Sequence, residues 1–129
     1  MELCVGIKGG AEVTVVPENT AAAVGSGALE VFSTPSMIAL MEKAALECVA
    51  PFLEEGQTTV GIKLQVDHLA ATPLGLAVRA EAELVSVDRR VLNFKVAAYA
   101  ADELIGEGFH QRCIVDAERF MSKAQAKAK

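Results

Sequence analysis

Residues 34–51, TPSMIALMEKAALECVAP, decide the fold because they predict one long helix with almost no polar face. Ser33 or Thr34 supplies an N-cap, and Pro35 fits a first-turn position that needs no N–H. Pro51 predicts that the helix ends near residue 50. A helix this apolar is normally buried on several sides, and about 24 Å is too short to span a membrane. Its charged residues are Glu42, Lys43 and Glu47.

Five segments around this helix have the alternation of strands, and they cover residues 11–16, 58–69, 76–87, 91–100 and 104–116. Short turns join the last four, which predicts an antiparallel sheet. We therefore expect one α+β domain over residues 1–129, with a curved five-stranded sheet holding the helix. An open sheet edge would favour pairing with a second copy across a two-fold axis.

The remaining segments are predicted as connections. Residues 1–10 form a lead-in with a turn at Gly9-Gly10, and residues 18–28, rich in Ala, Gly and Ser, form a mobile loop with at most a short helical turn. Residues 118–128 form a weakly amphipathic terminal helix.

Composition excludes several classes of function. The formal net charge of -5 and a pI near 5.0 argue against nucleic acid as a partner, because phosphate binding needs a basic surface. Three widely spaced cysteines, Cys4, Cys48 and Cys113, form no disulfide framework and no metal motif. No signal peptide is expected, and a reducing cytoplasm is the predicted location. We expect no cofactor, no metal and no membrane partner.

Two histidines are candidates for chemistry, and each has a structural alternative. Alternation puts His68 on the inner face of the strongest strand with Val60, Ile62, Leu64 and Val66. A lone histidine there is more often structural than catalytic. His110 lies in the middle of a strand, where a structural role is favoured more strongly.

Three residues of other types have similar alternatives. Glu42 belongs to a solvated arc with Lys43 and Glu47, or it is a carboxylate in a dry pocket that acts as base or nucleophile. Thr34 is an N-cap, or a hydroxyl beside a developing oxyanion at the positive helix end. Gly61 marks a bulge, or a close approach of a ligand to the backbone.

Three strings carry a resemblance to a known family. VFSTPSMIALMEKAA (31–45), TTVGIKLQVDHLAATPLG (58–75) and GEGFHQRCIV (106–115) resemble the hotdog-fold thioesterases, and among them the fluoroacetyl-CoA thioesterase-like family. The resemblance covers residues 11–116. It implies a hotdog fold, a homodimer and acyl-CoA sites at the subunit interface.

The resemblance also implies site residues. Thr34, Glu42 and His68 match the catalytic threonine, glutamate and histidine of the family, and their spacings agree. Gly61 matches a glycine near the thioester, and Phe32 and Arg112, within the matching strings, are predicted as further substrate contacts. Since eight helical residues rise about 12 Å, Thr34 and Glu42 cannot touch on one regular helix, which favours a site built from two protomers.

The function implied by the resemblance is hydrolysis of an acyl-CoA thioester. In the fluoroacetyl-specific enzyme the loop before the helix is a lid with phenylalanines, whereas residues 17–28 here, PENTAAAVGSGA, have no aromatic residue. We therefore expect a general short-chain acyl-CoA as substrate. The alternatives are a non-catalytic module that binds acyl-CoA or another small ligand, and, ranked last, a hotdog hydratase or dehydratase, for which no motif matches.

Overall fold

The computed structural model describes residues 2–128. The strands are β1 (Lys8–Thr14), β2 (Gln57–His68), β3 (Ala77–Asp88), β4 (Val91–Ala100) and β5 (Glu103–Asp116). The helices are α1 (Ala21–Val24), α2 (Thr34–Val49) and α3 (Ala117–Ala126). Two 3-10 turns, Pro17–Asn19 and Ala50–Phe52, complete the order of elements. No helix in residues 2–128 combines the length and apolarity that crossing a membrane requires.

The five strands form one antiparallel sheet in the order β1-β3-β4-β5-β2. Tight turns connect β3 to β4 and β4 to β5, as the sequence predicted, and the second turn places Ala101 and Asp102 at positive φ angles of 47° and 66°. Strands β1 and β2 are the two edges of the sheet. The predicted α+β architecture, with an antiparallel sheet around one helix, is confirmed.

Helix α2 supplies the centre of the core. Strands β1 and β3 make most of its sheet contacts. The alternation predicted for β3 and β4 is confirmed, because their inward residues are buried while the intervening ones are more exposed. These inward residues are Val78, Ala80, Ala82 and Leu84 on β3, and Leu92, Phe94, Val96 and Ala98 on β4. On α2 the buried residues are Met37, Leu40, Met41, Ala44, Ala45, Cys48 and Val49.

A bulge changes the predicted inner face of β2. Gly61 pairs with Arg112, and Lys63 pairs with the preceding β5 residue, so Ile62 is an extra residue without a partner on β5. The alternation therefore reverses at Ile62, whose side chain is 51% exposed. The prediction is right from residue 64 to His68 and wrong for Val60 and Ile62. A period-2 pattern carries no sign of such an insertion.

The turn predicted at Gly9-Gly10 is wrong, because both glycines lie in β1. A Cβ atom on Gly9 would lie 2.6 Å from the carbonyl oxygen of Ala44 and 2.6 Å from the Cβ of Cys48. Glycine is required here because the strand crosses α2 at a distance that leaves no room for a side chain. Close packing of β1 against α2, and not a turn, explains why residue 9 is a glycine.

The segment before α2 contains the short helical turn that the sequence allowed. Thr20 caps α1 by accepting a hydrogen bond from the N–H of Ala23 at 3.3 Å. Isolated β-bridges join Thr20 to Phe32 and Val31 to Pro73. These bridges attach the segment to the start of α2 and to the connection that follows β2.

We predict that Gly9→Ala lowers the free energy of unfolding by about 1–3 kcal/mol, because the new methyl group forces β1 away from α2. Gly10→Ala is the matched control on the same strand, since its Cβ would lie 3.4 Å from the carbonyl oxygen of Ala80. Urea unfolding of both variants measures the difference. Equal stability of the two variants would contradict the packing described for β1.

Candidate active site

The N-cap of α2 is Ser33, and this leaves the hydroxyl of Thr34 available. Ser33 is buried with extended backbone angles, and its Oγ accepts a hydrogen bond from the N–H of Ser36 at 3.2 Å. The capping role considered for Thr34 is therefore wrong. Thr34 is instead the first helical residue, and its side chain is exposed toward the end of β2.

His68, the last residue of β2, binds this hydroxyl. Thr34 Oγ1 and His68 Nδ1 are 2.7 Å apart. The other ring nitrogen, His68 Nε2, is buried and has no hydrogen-bond partner in residues 2–128. Burial lowers the pKa of His68 below its ordinary value, and the backbone of Ala70 opposes this shift without forming a hydrogen bond to Nε2. A neutral imidazole with one free buried nitrogen is suited to proton transfer.

A cavity of about 340 Å³ adjoins the Thr34–His68 pair and is open to solvent on one side. The same cavity is lined by Ala21, Ser26, Val31, Phe32, Leu69, Ala70 and Ala71. Phe32, predicted as a substrate contact, is 1% exposed and belongs to the hydrophobic core, so it forms the back of the cavity wall. Its role in substrate binding stays a prediction.

A second cluster forms around Glu42, further along α2. Glu42 Oε2 lies 3.7 Å from Arg112 Nη1, and the Glu42 side chain is 37% exposed. A Cβ atom on Gly61 would overlap Glu42 Oε2, so glycine at this position allows the carboxylate to lie against the β2 backbone. Glu42 is thus partly buried, whereas Lys43 and Glu47 are exposed to solvent.

Arg112 is held by three hydrogen bonds. Its Nε donates to Thr59 Oγ1 at 2.7 Å, and its Nη2 donates to the Thr59 carbonyl at 2.8 Å. Its Nη1 lies 3.1 Å from His110 Nε2. Arginine can only donate, so His110 Nε2 is an acceptor, and the proton on Nδ1 is donated to the carbonyl of Lys63 at 2.9 Å. The network therefore specifies a neutral His110, whose Nε2 lies 3.9 Å from Glu42 Oε2, and the guanidinium of Arg112 is the charged partner of this carboxylate.

Electrostatics agree with this assignment. Burial is the largest cause that lowers the pKa of His110, and the charge of Arg112 lowers it further. The hydrogen bond to Lys63 and the charge of Glu42 oppose this shift. Burial also lowers the pKa of Arg112, and Glu42 opposes that shift. The sequence favoured a structural role for His110. In the structure that role is to orient the guanidinium of Arg112, because the His110 ring accepts its hydrogen bond. Thr59 was not considered in the sequence, although the two-residue spacing of His110 and Arg112 places them on one face of β5.

The two clusters do not meet within one chain. Thr34 and Glu42 lie on the same regular helix, about 12 Å apart along its axis. His68 and Gly61 are separated by seven residues of β2, or about 20 Å after allowing for the bulge. Of the residues predicted for the site, the structure joins Thr34 with His68, and Glu42 with Gly61 and Arg112.

The start of α2 offers fewer free N–H groups than the sequence indicated. Pro35 has no N–H, the N–H of Ser36 is donated to Ser33 Oγ, and the N–H of Met37 is donated to the Ser33 carbonyl at 3.0 Å. Only the N–H of Thr34 in this first turn is left to stabilise negative charge on a ligand.

An antiparallel sheet of five strands wrapped around one long helix defines a hotdog fold. The family model of fluoroacetyl-CoA-specific thioesterases matches residues 15–118. The chain is 43% identical over 98 residues to the fluoroacetyl-CoA thioesterase of Streptantibioticus cattleyicolor, an alignment that covers 76% of this chain and 70% of that protein. The chain belongs to this thioesterase family.

Solved structures agree with the family. A structure of the fluoroacetyl-CoA thioesterase FlK superposes with a TM-score of 0.92 at 35% identity and covers 98% of both chains. A thioesterase superfamily member from Thermus thermophilus superposes with a TM-score of 0.85 at 28% identity, covering 98% of this chain and 97% of that one. The expected hotdog thioesterase fold is confirmed.

We predict that the free energy of unfolding decreases as the pH falls below about 6.5, the ordinary pKa of histidine. His68 and His110 have folded-state pKa values below that value, so the unfolded chain binds protons more readily in this range. Their contribution is fully present above about pH 6.5 and is lost as the pH falls to the folded-state values.

Urea unfolding at intervals between pH 8 and pH 5.5 measures this dependence. His110→Gln and His68→Gln should each reduce the slope, and the double variant should nearly abolish it in this range, where carboxylates stay ionised. An unchanged slope in the double variant would contradict the assignment.

Proposed function

We propose that this protein hydrolyses short-chain acyl-CoA thioesters to the free acid and CoA. The observation that carries the proposal is the Thr34–His68 pair, whose buried Nε2 lacks a partner beside a cavity. Family membership supports the reaction type. The relative FlK has been solved as variants with acetyl-CoA and with fluoroacetate and CoA.

Each side chain has a defined task in this proposal. His68 exchanges a proton with the attacking or the leaving group through Nε2, and Thr34 holds the ring through Nδ1. The Thr34 N–H, at the positive end of α2, stabilises the oxyanion that forms from the thioester carbonyl. Glu42, which is paired with Arg112, activates water or attacks the carbonyl carbon directly.

We further propose that the protein acts as a homodimer in which the free edges of two β2 strands pair. An unpaired edge exposes backbone N–H and C=O groups that a second copy can satisfy. Large apolar side chains are also exposed along and beside this strand, with Ile62 at 51%, Leu64 at 37% and Leu69 at 52%. Covering these residues supplies a hydrophobic contribution to the association.

One register of this pairing would join the two clusters. Residues directly opposite each other in an antiparallel pair point to the same face, so a two-fold axis at Gln65 is allowed. Ile62, the extra residue, is left unpaired, and beyond it Gly61 lies opposite the partner's His68. The carboxylate of Glu42, which rests on Gly61, then faces the Thr34–His68 pair of the partner subunit. Each dimer would contain two such composite sites.

The proposed location is the cytoplasm. The three cysteines, Cys4, Cys48 and Cys113, form no disulfide, which is in keeping with a reducing compartment.

We predict that the purified protein releases CoA from a panel of short acyl-CoA thioesters. Glu42→Gln and His68→Ala should each reduce kcat by about 10²–10⁴, the usual contribution of an acid or base group. Glu47→Gln, an exposed carboxylate on the same helix, is the matched control and should retain full activity. A thiol-release assay measures the rates.

Full activity of both site variants would contradict the assigned roles. Thermal stabilisation by acyl-CoA without any thiol release would instead identify a non-catalytic binding protein.

The composite site predicts complementation between inactive variants. Mixing Glu42→Gln and His68→Ala chains under conditions of subunit exchange gives half heterodimers, each with one intact site. About a quarter of the wild-type activity should return. Mixing Thr34→Ala with His68→Ala is the control, since both residues belong to the same half of a site and no activity should return. Absence of recovery in the first mixture, with dimers exchanging, would contradict a shared site.

A further inference from the structure

We propose that the cavity beside Thr34 and His68 binds an uncharged acyl chain longer than acetyl, and that Ala21 and Ser26 set the maximum length. This inference rests on the proposed thioester hydrolysis, because it assigns the cavity to the acyl group of the same substrate.

In the described part of the chain, the cavity wall has no charged side chain that could pair with a second carboxylate on the acyl group. No Asp, Glu, Lys or Arg side chain of residues 2–128 lines the cavity. Polar side chains are limited to Thr34, His68 and Ser26, and the first two form the reacting end. A dicarboxylic acyl group, such as succinyl, would bring an unpaired charge against this wall.

The size of the cavity exceeds what a two-carbon acyl group needs. One water molecule occupies about 30 Å³ of liquid volume, so about 340 Å³ holds roughly ten groups of similar size. Since the cavity is open to solvent on one side, the thioester group shares this space with the acyl chain, and an acetyl group still leaves part of it unfilled. Val31, Phe32 and Ala71 provide apolar wall.

The wall formed by α1 has a defined position because backbone hydrogen bonds hold Ala21 through both its N–H and its carbonyl group. The N–H of Ala21 donates to the Val31 carbonyl at 2.8 Å. The Ala21 carbonyl accepts from Gly25, Ser26 and Gly27 at 2.9, 3.1 and 3.3 Å. A larger side chain at Ala21 or Ser26 would therefore occupy the cavity, since the backbone that carries it is held in place.

The test measures kcat/KM for acetyl-, propionyl-, butyryl-, hexanoyl- and succinyl-CoA. We expect kcat/KM to rise about fourfold per methylene up to butyryl or hexanoyl, which corresponds to ~0.8 kcal/mol per CH₂ buried. Succinyl-CoA should react at least roughly tenfold more slowly than butyryl-CoA, because its carboxylate has no partner.

Substitutions in the wall test the length limit. Ala21→Phe should lower the ratio of kcat/KM for hexanoyl-CoA to kcat/KM for acetyl-CoA at least roughly tenfold, and urea unfolding verifies that the variant folds. Ser26→Leu provides a second variant with the same expected shift. Ala23→Phe is the control, because Ala23 lies on the same helical turn, is exposed and does not line the cavity.

The outcomes separate the two proposals. A maximum at acetyl-CoA, or no dependence on chain length, with turnover retained would overturn the assignment of the cavity and leave hydrolysis standing. If no thioester is hydrolysed, the proposed function fails, and the same series measured as thermal stabilisation still tests the cavity. Stabilisation that does not increase with chain length would then overturn it.

Discussion

The regular geometry of α2 is the constraint on which the arrangement of the site depends. Its hydrogen bonding is continuous from Thr34 to Val49, so the hydroxyl at its start and the carboxylate of Glu42 are kept about 12 Å apart. The helix cannot bend to shorten this distance, because strands of the sheet pack against it. Two small clusters with different chemistry are therefore formed in each chain: a hydroxyl with an imidazole, and a carboxylate with a guanidinium.

Each cluster contains one polar group that could still bind a further partner. The imidazole of His68 has a buried nitrogen without a partner, and the carboxylate of Glu42 retains an exposed fraction of 37% after pairing with Arg112. Both clusters lie against β2, an edge strand, and are displaced from each other along it. If the β2 edges of two subunits pair across a two-fold axis, the Thr34–His68 pair of one subunit lies near Glu42 of the other. Within one chain the two clusters stay apart, because both are fixed on α2 and β2.

Much of the fold could be predicted from hydrophobic periodicity. The helix, the strand order along the chain and the inner faces of β3 and β4 follow from spacing, since one residue type recurs with the period of the element. The bulge at Ile62 could not be predicted, because inserting one residue leaves each local pattern intact and changes only the pairing with β5. Gly9 was predicted as a turn for a related reason. Glycine is needed there because β1 packs closely against α2, which is distant in the sequence.

For the site, residue types made Thr34, Glu42, His68 and Gly61 candidates and the family resemblance singled them out together, while their partners depend on tertiary contacts. Ser33 and Thr34 are equally good caps in the sequence, and only the backbone geometry distinguishes them. The hydrogen bonds that Arg112 donates to Thr59 cross from β5 to β2 and leave no mark in either segment. The most direct measurement of the proposed shared site is a crystal structure of the assembled protein with a non-hydrolysable acyl-CoA analogue. The account predicts that the analogue's carbonyl contacts Thr34 and His68 of one subunit and Glu42 of the other. A carbonyl that contacts Glu42 and His68 of the same chain, or neither residue, would contradict it.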